Sequence, residues 1–347
     1  MTEKKRKNYR AGLIGLGYAG FVQLPAIRKI DNCSVVAVCG TSFDKTQRFA
    51  LENNIQGIFT DWEIMLNNQK LDLLILAVPP VTQAKILKKA FYLGINCFCE
   101  KPLSADLNSA EELLIISKIQ AAFHAVDFIF PEIPCWIRAK GKISSGEIGE
   151  IKHACVNWFV ETEASRIGTH SWKLNREQGG GVLKNFVSHV LYYIEWMLGE
   201  IKYVTCELDE QSPGYDMGSH ITLTLISGIR VTVNVRQDAF AGIGHHFSIY
   251  GKKGTIHLVN DEKDYVKGFN GTYINVDYNR EALGFPSDFN NDADGRIVAV
   301  DSLLNRWMKC IENKYIMKPG LAEGVRVQRL LHALEISNAS KIISLEI

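Results

Sequence analysis

The first third of the chain alternates short apolar runs with stretches of helical periodicity. Apolar runs that indicate strands lie at 11–14, 34–39, 71–78 and 95–99, and helical patterns follow them at 21–30, 45–52, 83–93 and 105–119. The run over 71–78 is apolar for most of its length, which is typical of a strand covered on both faces. Strands that alternate with helices predict a parallel, doubly wound sheet.

The pattern changes near residue 125. Strand patterns then dominate, at 151–161, 203–208, 220–226, 230–237, 245–250 and 255–259, with helical patterns at 131–142, 181–198, 298–312 and 323–343. The segment 262–294 is rich in Asn and Asp and is interpreted as loop. We therefore expect an α/β domain over 1–125 and an α+β domain with a large, mainly antiparallel sheet over 126–347. The C-terminal helix is expected to pack back on the first domain.

Composition narrows the class of protein. A chain of 347 residues exceeds the size at which a single core usually stops growing, and 46% hydrophobic with 22% charged residues is typical of a globular protein. The net charge of +1 favours neither nucleic acid nor an anionic membrane, and no apolar stretch is long enough to span a bilayer. The eight cysteines form no C-x-x-C or zinc-finger spacing, so we expect a reduced, cytoplasmic protein without a structural metal.

A glycine fingerprint lies between the first strand and the first helix, as Gly15-Leu16-Gly17-Tyr18-Ala19-Gly20. In that context Gly15 permits a tight turn, Gly17 lets the backbone approach a pyrophosphate, and Gly20 lets helix and strand pack closely. The helix N-terminus would then face the phosphates. The fingerprint predicts an NAD(P) site that includes Tyr18 and Ala19. A tight turn that binds nothing is the alternative.

The end of the second strand bears on the choice of cofactor. Sites specific for NAD usually place Asp or Glu about 20 residues beyond the glycines, to hold the ribose hydroxyls. This chain has Gly40-Thr41-Ser42 there, without a carboxylate. Thr41, Ser42 and Lys45 can hydrogen-bond a 2′-phosphate, which favours NADP over NAD, although no Arg is present to strengthen that preference.

Two further motifs lie downstream. Glu100-Lys101-Pro102 ends the strand pattern at 95–99, and Gly179-Gly180-Gly181 precedes Asn185 and His189. With the glycine fingerprint, these motifs resemble the glucose–fructose oxidoreductase/inositol dehydrogenase/MocA (Gfo/Idh/MocA) family over nearly the whole chain. The resemblance implies a Rossmann domain followed by an open-faced sheet. It also implies hydride transfer between nicotinamide and a secondary alcohol or ketone of a sugar, polyol or nucleotide-linked sugar.

The same resemblance implies roles for single residues. Lys101 would contact the cofactor ribose and the reacting oxygen, Glu100 would shape the nicotinamide pocket, and His189 would accept or donate the hydroxyl proton. The further residues implied at the site are Pro79, Gln83 and Trp172 toward the cofactor, and Lys173 and Asn185 toward the substrate. A solvated strand-end lysine and an ordinary helix histidine remain the alternatives for Lys101 and His189.

Three positions depart from the family's frequent pattern: Asn185 replaces an Asp, Gln83 replaces a His, and Asp127-Phe128-Ile129-Phe130-Pro131 replaces a Tyr/Arg-rich segment. Asn185 and His189 are four residues apart and would share one helix face. A neutral amide stabilises an imidazolium less than a carboxylate does. We therefore predict a weakened base at His189, with Lys101 carrying more of the proton transfer.

Other interpretations remain open. The chain could be a non-catalytic NAD(P)-binding regulator, or an enzyme for an aromatic diol or tetrapyrrole held near Phe128, Phe130 and Trp136. Asn234 and Gln237 are expected beside Asn185 and Lys173 in a sugar pocket. His245 and His246 are adjacent in a strand, so their side chains would point to opposite faces and could not chelate a metal together. We expect a homodimer or homotetramer.

Overall fold

The computed structural model describes residues 7–119, 121–167, 172–211, 215–262, 268–284, 294–340 and 345–347. They form two compact units. The first comprises the described residues of Met1–Ser104, Asn108–Asp127 and Val300–Val325; the second comprises those of Ala105–Leu107, Phe128–Ala299 and Arg326–Ile347. The main division follows Asp127, and the last helix contributes residues to both units.

The first unit is built on a parallel sheet. Its described strands are β1 (Tyr9–Ile14), β2 (Cys33–Cys39), β3 (Gly57–Phe59), β4 (Leu73–Leu76), β5 (Asn96–Cys99) and β6 (Ala125–Val126). They lie in the order β3-β2-β1-β4-β5-β6, and each neighbouring pair is parallel. The predicted parallel sheet is therefore confirmed. The direction of strand order reverses between β1 and β4, which is where doubly wound folds bind ligands, beyond the carboxyl ends of the strands.

Helices connect these strands. A π-helical turn (Ala19–Gln23) continues into α1 (Leu24–Ile27), and the others are α2 (Phe43–Glu52), α3 (Trp62–Asn68), α4 (Pro80–Tyr92) and α5 (Leu107–Ile116). The sequence patterns missed β3 and α3. β3 has three residues, too few to show a period. α3 did have a local signal in the sequence, the N-cap residue Asp61, whose side chain accepts hydrogen bonds from the N–H groups of Glu63 and Ile64.

The second unit is built on a larger sheet. Its described strands are β7 (Ile151–Phe159), β8 (Ile201–Gln211), β9 (Tyr215–Leu225), β10 (Arg230–Arg236), β11 (Gly244–Gly251), β12 (Gly254–Asn260), β13 (Asn270–Asn275), β14 (Arg280–Ala282) and β15 (Leu345–Glu346). They lie in the order β14-β13-β12-β11-β7-β10-β9-β8-β15. The pair β10–β7 is parallel and the other pairs are antiparallel. The mainly antiparallel sheet is confirmed.

Alternation along the strands gives this sheet one buried and one open face. On β10, Val231, Val233 and Val235 are fully buried, whereas Thr232 is exposed and Asn234 half-buried. The remaining helices are α6 (Pro134–Ser144), α7 (Glu163–Ile167), α8 (Ser188–Leu198), α9 (Arg296–Asn313) and α10 (Leu321–Ser340). No helix of the described residues is long and apolar enough to cross a membrane.

The loop expected over 262–294 is wrong in part, because β13 and β14 lie within it. β13 pairs with β12, so that Gly271 faces Leu258 and Tyr273 faces Ile256. Part of the polar composition lies in the turn between β13 and β14, where the Asn275 side chain accepts hydrogen bonds from two backbone N–H groups. The sequence pattern of β13 was therefore not recognised, because polar turn residues flank the strand.

Two helices begin later than predicted. The pattern at 131–142 starts with a 3₁₀ turn (Phe130–Glu132). The helix α6 itself begins at Pro134, and proline is favoured at the first position of a helix. The pattern at 181–198 begins with a second π-helical turn (Leu183–Val187) before α8. The expected helical residues beyond 340 lie outside the described residues.

Candidate active site

The glycine loop after β1 has the backbone that a dinucleotide site requires. Gly15 has φ +102°, and a Cβ there would lie 2.4 Å from the carbonyl oxygen of Ala77. A Cβ on Gly20 would lie 2.8 Å from Phe49 of α2, so close helix packing excludes a side chain. A Cβ on Gly17 would meet no described atom within 4 Å, so the backbone at Gly17 is open to a ligand.

The loop fits a dinucleotide by its place as well as by its backbone. It follows the central strand β1 at the reversal of strand order, and a helical segment begins at Ala19. Tyr18 is half-buried, whereas Ala19 is fully buried and would offer a ligand its backbone only.

The end of β2 is crowded on one side and open on the other. A Cβ on Gly40 would lie 2.5 Å from the Thr46 hydroxyl, and that hydroxyl donates to the carbonyl oxygen of Ser42 at 2.6 Å. Thr41 and Lys45 are exposed, as the prediction of a ribose-phosphate site requires. Sequence reasoning overlooked Asp44, an exposed carboxylate in the first turn of α2.

The Glu100-Lys101-Pro102 turn is held by the side chain of Gln83. Gln83 is fully buried in α4, and its Nε2 donates to the carbonyl oxygens of Glu100 (2.7 Å), Pro102 (3.1 Å) and Leu103 (3.2 Å). Its Oε1 accepts from the N–H of Glu100 at 3.0 Å. Pro79 precedes α4. The amide of Gln83 is thus directed at the turn that carries Lys101, and its contact with a cofactor stays a prediction.

Two acidic side chains meet beside the same turn. Nε2 of Gln23 donates to Oε1 of Glu100 and to Oδ2 of Asp127, each at 2.9 Å. Burial and the neighbouring Asp127 carboxyl raise the pKa of Glu100 well above its usual value, and the positive charge of Lys101 offsets part of that rise. Lys101 therefore lies next to a carboxyl group, that of Glu100, that ionises with difficulty.

Sequence reasoning missed Gln23 and noted Asp127 as part of a segment that departs from the family's frequent pattern. The available signal was a polar residue, Gln23, that follows apolar Val22 and precedes apolar Leu24 in a helical stretch. Nothing local to either residue indicates the other, because 104 positions separate them in the sequence.

In the second unit, the glycine triplet lets two turns approach closely. A Cβ on Gly180 would lie 2.3 Å from the carbonyl oxygen of Trp172, in the short turn Trp172–Leu174. Gly181 has φ +101° and donates its N–H to the carbonyl oxygen of Lys173 at 2.9 Å. Trp172 is half-buried and Lys173 is exposed.

Asn185 reinforces this arrangement. Its Nδ2 donates to the carbonyl oxygen of Lys173 at 2.9 Å, so that oxygen accepts from both Gly181 and Asn185. The buried Asp216 carboxylate accepts from the N–H of Leu183 at 2.9 Å and thereby caps the π-helical turn that contains Asn185. The predicted substrate residues Lys173 and Asn185 are thus brought together.

His189 lies at the start of α8 among aromatic rings. Its ring centroid lies 5.1 Å from that of Phe130, 6.2 Å from that of Phe128 and 6.4 Å from that of Trp158. Phe128, Phe130 and Trp136 are buried, as core residues are. The histidine is half-buried, so its ring is held by apolar edges and remains partly accessible.

The expectation that Asn234 and Gln237 share one pocket is wrong. Three residues apart on an extended chain, they point to opposite faces. Asn234 lies on the open face, where its Nδ2 donates to Asn157 Oδ1 at 3.0 Å, whereas Gln237 is buried and donates to the carbonyl oxygen of Asp216 at 3.0 Å.

The same geometry bears out the prediction for His245 and His246. His245 is buried, with Nε2 3.0 Å from the hydroxyl oxygen of Tyr193, and its pKa is lowered well below the usual value by burial. His246 lies 2.6 Å from the carboxylate of Asp261. Within the described ranges, no cluster of three or more His, Cys, Asp or Glu side chains could hold a metal ion.

Comparison with known families decides the class of this chain. Residues 9–128 match the model of the oxidoreductase family with an NAD-binding Rossmann fold, and residues 136–257 match the model of the GFO/IDH/MocA C-terminal domain. The chain belongs to the Gfo/Idh/MocA family. The resemblance carried by Glu100-Lys101-Pro102 and the glycine motifs is confirmed.

Members of this family from other organisms align with much of the chain. An uncharacterized oxidoreductase of Synechocystis is 27% identical over 355 residues, covering 97% of this chain and 96% of its own. Levoglucosan dehydrogenase of Pseudarthrobacter phenanthrenivorans is 25% identical over 221 residues, covering 60% and 55%. A solved structure of levoglucosan dehydrogenase in complex with NADH and levoglucosan superimposes with a TM-score of 0.88 at 19% identity, covering 98% of this chain and 100% of that one.

In this Gfo/Idh/MocA member the two predicted proton-handling groups belong to different units. Lys101 lies in the first unit and His189 in the second. Their convergence on one substrate oxygen stays a prediction.

Proposed function

We propose that this Gfo/Idh/MocA member transfers hydride between a nicotinamide cofactor and a secondary alcohol or ketone of a sugar, polyol or nucleotide-linked sugar. The observation that carries the proposal is the Glu100-Lys101-Pro102 turn, which Gln83 holds at the carboxyl end of β5 in a unit with a dinucleotide loop after β1. The relationship to levoglucosan dehydrogenase supports a sugar-like substrate.

The chemistry assigns Lys101 the main proton transfer. Oxidation of an alcohol requires a base within hydrogen-bond reach of the hydroxyl, and such a base typically contributes roughly 100- to 10,000-fold in rate. The bound nicotinamide would supply the hydride acceptor. Lys101 Nζ would take the hydroxyl proton, and it lies directly after Glu100, on whose carboxyl group its charge acts.

His189 would act as the second polar group at the substrate oxygen. Its aromatic surroundings, Phe128 and Phe130, orient the ring but supply no formal negative charge to stabilise an imidazolium. Lys173 and Asn185, held together in the same unit, would contact the hydroxyl groups of the substrate.

A substrate screen tests this proposal. Purified protein would be mixed with sugars, polyols and sugar nucleotides in the presence of NAD⁺ or NADP⁺, and nicotinamide absorbance would be followed. The expected result is turnover with at least one compound and its loss in Lys101→Ala. Cofactor binding without turnover on any compound would count against an enzyme and favour a regulatory role.

The proposal extends to NADP as the preferred cofactor. Support comes from the exposed side chains of Thr41 and Lys45 and from the lack of a carboxylate at 40–42. Thr41→Asp would then weaken NADP⁺ binding by about tenfold, through repulsion of the 2′-phosphate, and weaken NAD⁺ binding less. Fluorescence titration with both cofactors measures the two constants, and tighter binding of NAD⁺ than NADP⁺ by the unmodified protein would refute the preference.

We also propose that the chain forms a homo-oligomer, a dimer or a tetramer. The open face of the second sheet offers hydrogen-bonding side chains in rows, and Asn234 links His220 to Asn157 across three strands. Such a face suits a symmetric contact with a second copy. Sedimentation at micromolar concentration tests this, and a monomer mass would refute it.

A further inference from the structure

The side chain of Gln23 joins three parts of the first unit. It lies in the π-helical turn that follows the glycine loop and is fully buried. Its two N–H groups are used by Glu100, just beyond β5, and by Asp127, just beyond β6. The helix that would face the cofactor phosphates is thereby connected to the turn that carries Lys101.

The two carboxyl groups lie side by side, because each accepts from the same Nε2 of Gln23 at 2.9 Å. Two ionised carboxylates in such positions repel each other, and the Asp127 carboxyl accordingly raises the pKa of Glu100. Asp127 is 2% exposed, which makes a second negative charge in this place costly. One proton shared by Glu100 and Asp127 would leave the pair with a single negative charge, which this burial favours.

Asp127 and Lys101 are titratable groups that act on Glu100. Lys101 follows Glu100 directly and favours its ionised form. The Cys99 thiol, at the end of β5, is buried and has its pKa raised by burial and by both acids, so it stays neutral. From α10, Glu323 is directed to the N–H of Gly320 at 2.9 Å.

The fold places the pair on the nicotinamide side of the predicted cofactor site. In doubly wound folds the two halves of a dinucleotide lie on opposite sides of the strand-order reversal, and the strand that follows the glycine loop holds the adenosine ribose. That strand is β2, so the nicotinamide half belongs to the side of β4, β5 and β6. The oxidised nicotinamide ring carries a positive charge that the reduced ring lacks.

We propose that Gln23, Glu100 and Asp127 form a proton-binding site coupled to the redox form of the bound cofactor. The inference rests on the proposed function. Binding of the cationic, oxidised cofactor drives one proton from the carboxyl pair to solvent, whereas the reduced cofactor leaves that proton in place. By linkage, the affinity for oxidised relative to reduced cofactor rises as pH rises.

Cofactor binding as a function of pH tests this proposal without any turnover. Dissociation constants for NADP⁺ and NADPH would be measured by fluorescence from about pH 6 to about pH 9. The expected change in their ratio is on the order of tenfold, the size of one unit-charge interaction across several ångströms in a partly buried site. Calorimetry in two buffers of different ionisation enthalpy should show proton release with NADP⁺ only.

Variants locate the proton. In Asp127→Asn the remaining acid, Glu100, ionises at lower pH, so the ratio should become independent of pH over this range. Glu100→Gln leaves Asp127 as the single acid, so the ratio should again be independent of pH. The second variant keeps the test valid if the first does not fold. Lys101→Met should keep the pH dependence, because the titrating group is the carboxyl pair.

Each result decides the matter. A ratio that does not change with pH in the unmodified protein overturns the inference while leaving the proposed function standing. A pH dependence that survives in both acid variants but disappears in Lys101→Met assigns the proton to the lysine and also overturns it. If neither cofactor binds, the proposed function fails together with the inference.

Discussion

The regions of Lys101 and His189 each contain a π-helical turn from which an amide side chain reaches a neighbouring segment. Gln23 does so in the first unit and Asn185 in the second. π-Helical turns are frequent at functional sites. The surroundings differ: Lys101 is flanked by buried polar groups, and His189 by aromatic rings.

This difference suggests separate roles: the surroundings of Lys101 determine the charge at the site, whereas the surroundings of His189 determine the orientation of its ring. Directional hydrogen bonds to Gln83 hold the Lys101 turn, and two carboxyl groups set its electrostatic environment. Rings such as Phe130 orient His189 without a formal charge. Proton affinity in the site should therefore be governed mainly from the first unit.

The largest expected effect comes from removing each proton-handling group. Lys101→Ala should lower kcat by roughly 100- to 10,000-fold, because it deletes the main base. His189→Ala should lower kcat less, because His189 is predicted to be the weaker base of the two. Steady-state kinetics at saturating substrate and cofactor measure both.

An exposed lysine, Lys118, provides the control: Lys118→Ala should leave kcat unchanged. Equal losses for Lys101→Ala and His189→Ala would contradict the assignment of charge control to the first unit.

The next effect concerns the support of the Lys101 turn. Gln83→Leu would leave the Glu100 N–H and the three carbonyl oxygens that Gln83 now contacts without that partner. The Glu100 N–H keeps a bond to the carbonyl oxygen of Leu76 at 3.3 Å. The three carbonyl oxygens lose their partner at about 1–3 kcal/mol each, so the free energy of unfolding should fall by at least about 3 kcal/mol. Urea denaturation measures this, with Gln47→Leu on the exposed side of α2 as the control. A loss no larger than that of the control would show that the turn is held by other contacts.

The sequence predicted features that have a local signature and missed contacts between residues far apart in the chain. The glycine loop, the parallel sheet and the Glu100-Lys101-Pro102 motif have local signatures, because turn geometry and strand periodicity involve neighbouring residues. The pairing of Gln23 with Asp127 joins residues 104 positions apart and leaves no pattern in either segment. Gln237 was assigned to the wrong face because its strand was recognised but its alternation was not followed.

A buried histidine in the first unit gives a prediction of stability against pH. His124 accepts a hydrogen bond from the N–H of Cys97 at 3.2 Å, and burial lowers its pKa to about 3. Because the unfolded chain binds a proton near pH 6.5 and the folded chain does not, stability should fall as pH drops from about 6.5 toward 3, by up to about 1.4 kcal/mol per pH unit. His124→Asn keeps an acceptor that does not titrate, so its unfolding free energy should change less between pH 7 and pH 5. Identical slopes for both proteins, measured by urea denaturation, would exclude His124 as a source of acid sensitivity.

The smallest expected effect tests the amide of the second region. Asn185→Asp restores the residue frequent in the family, but a carboxylate cannot donate to the carbonyl oxygen of Lys173, which Asn185 Nδ2 contacts at 2.9 Å. Loss of one such hydrogen bond costs about 1 kcal/mol, so KM for the substrate should rise about fivefold, with a smaller change in kcat. Asn185→Ala should raise KM by a similar factor, since both variants remove the donor. A rise in kcat for Asn185→Asp alone, with its pH profile shifted, would mean that residue 185 acts on His189 and that charge control extends into the second unit.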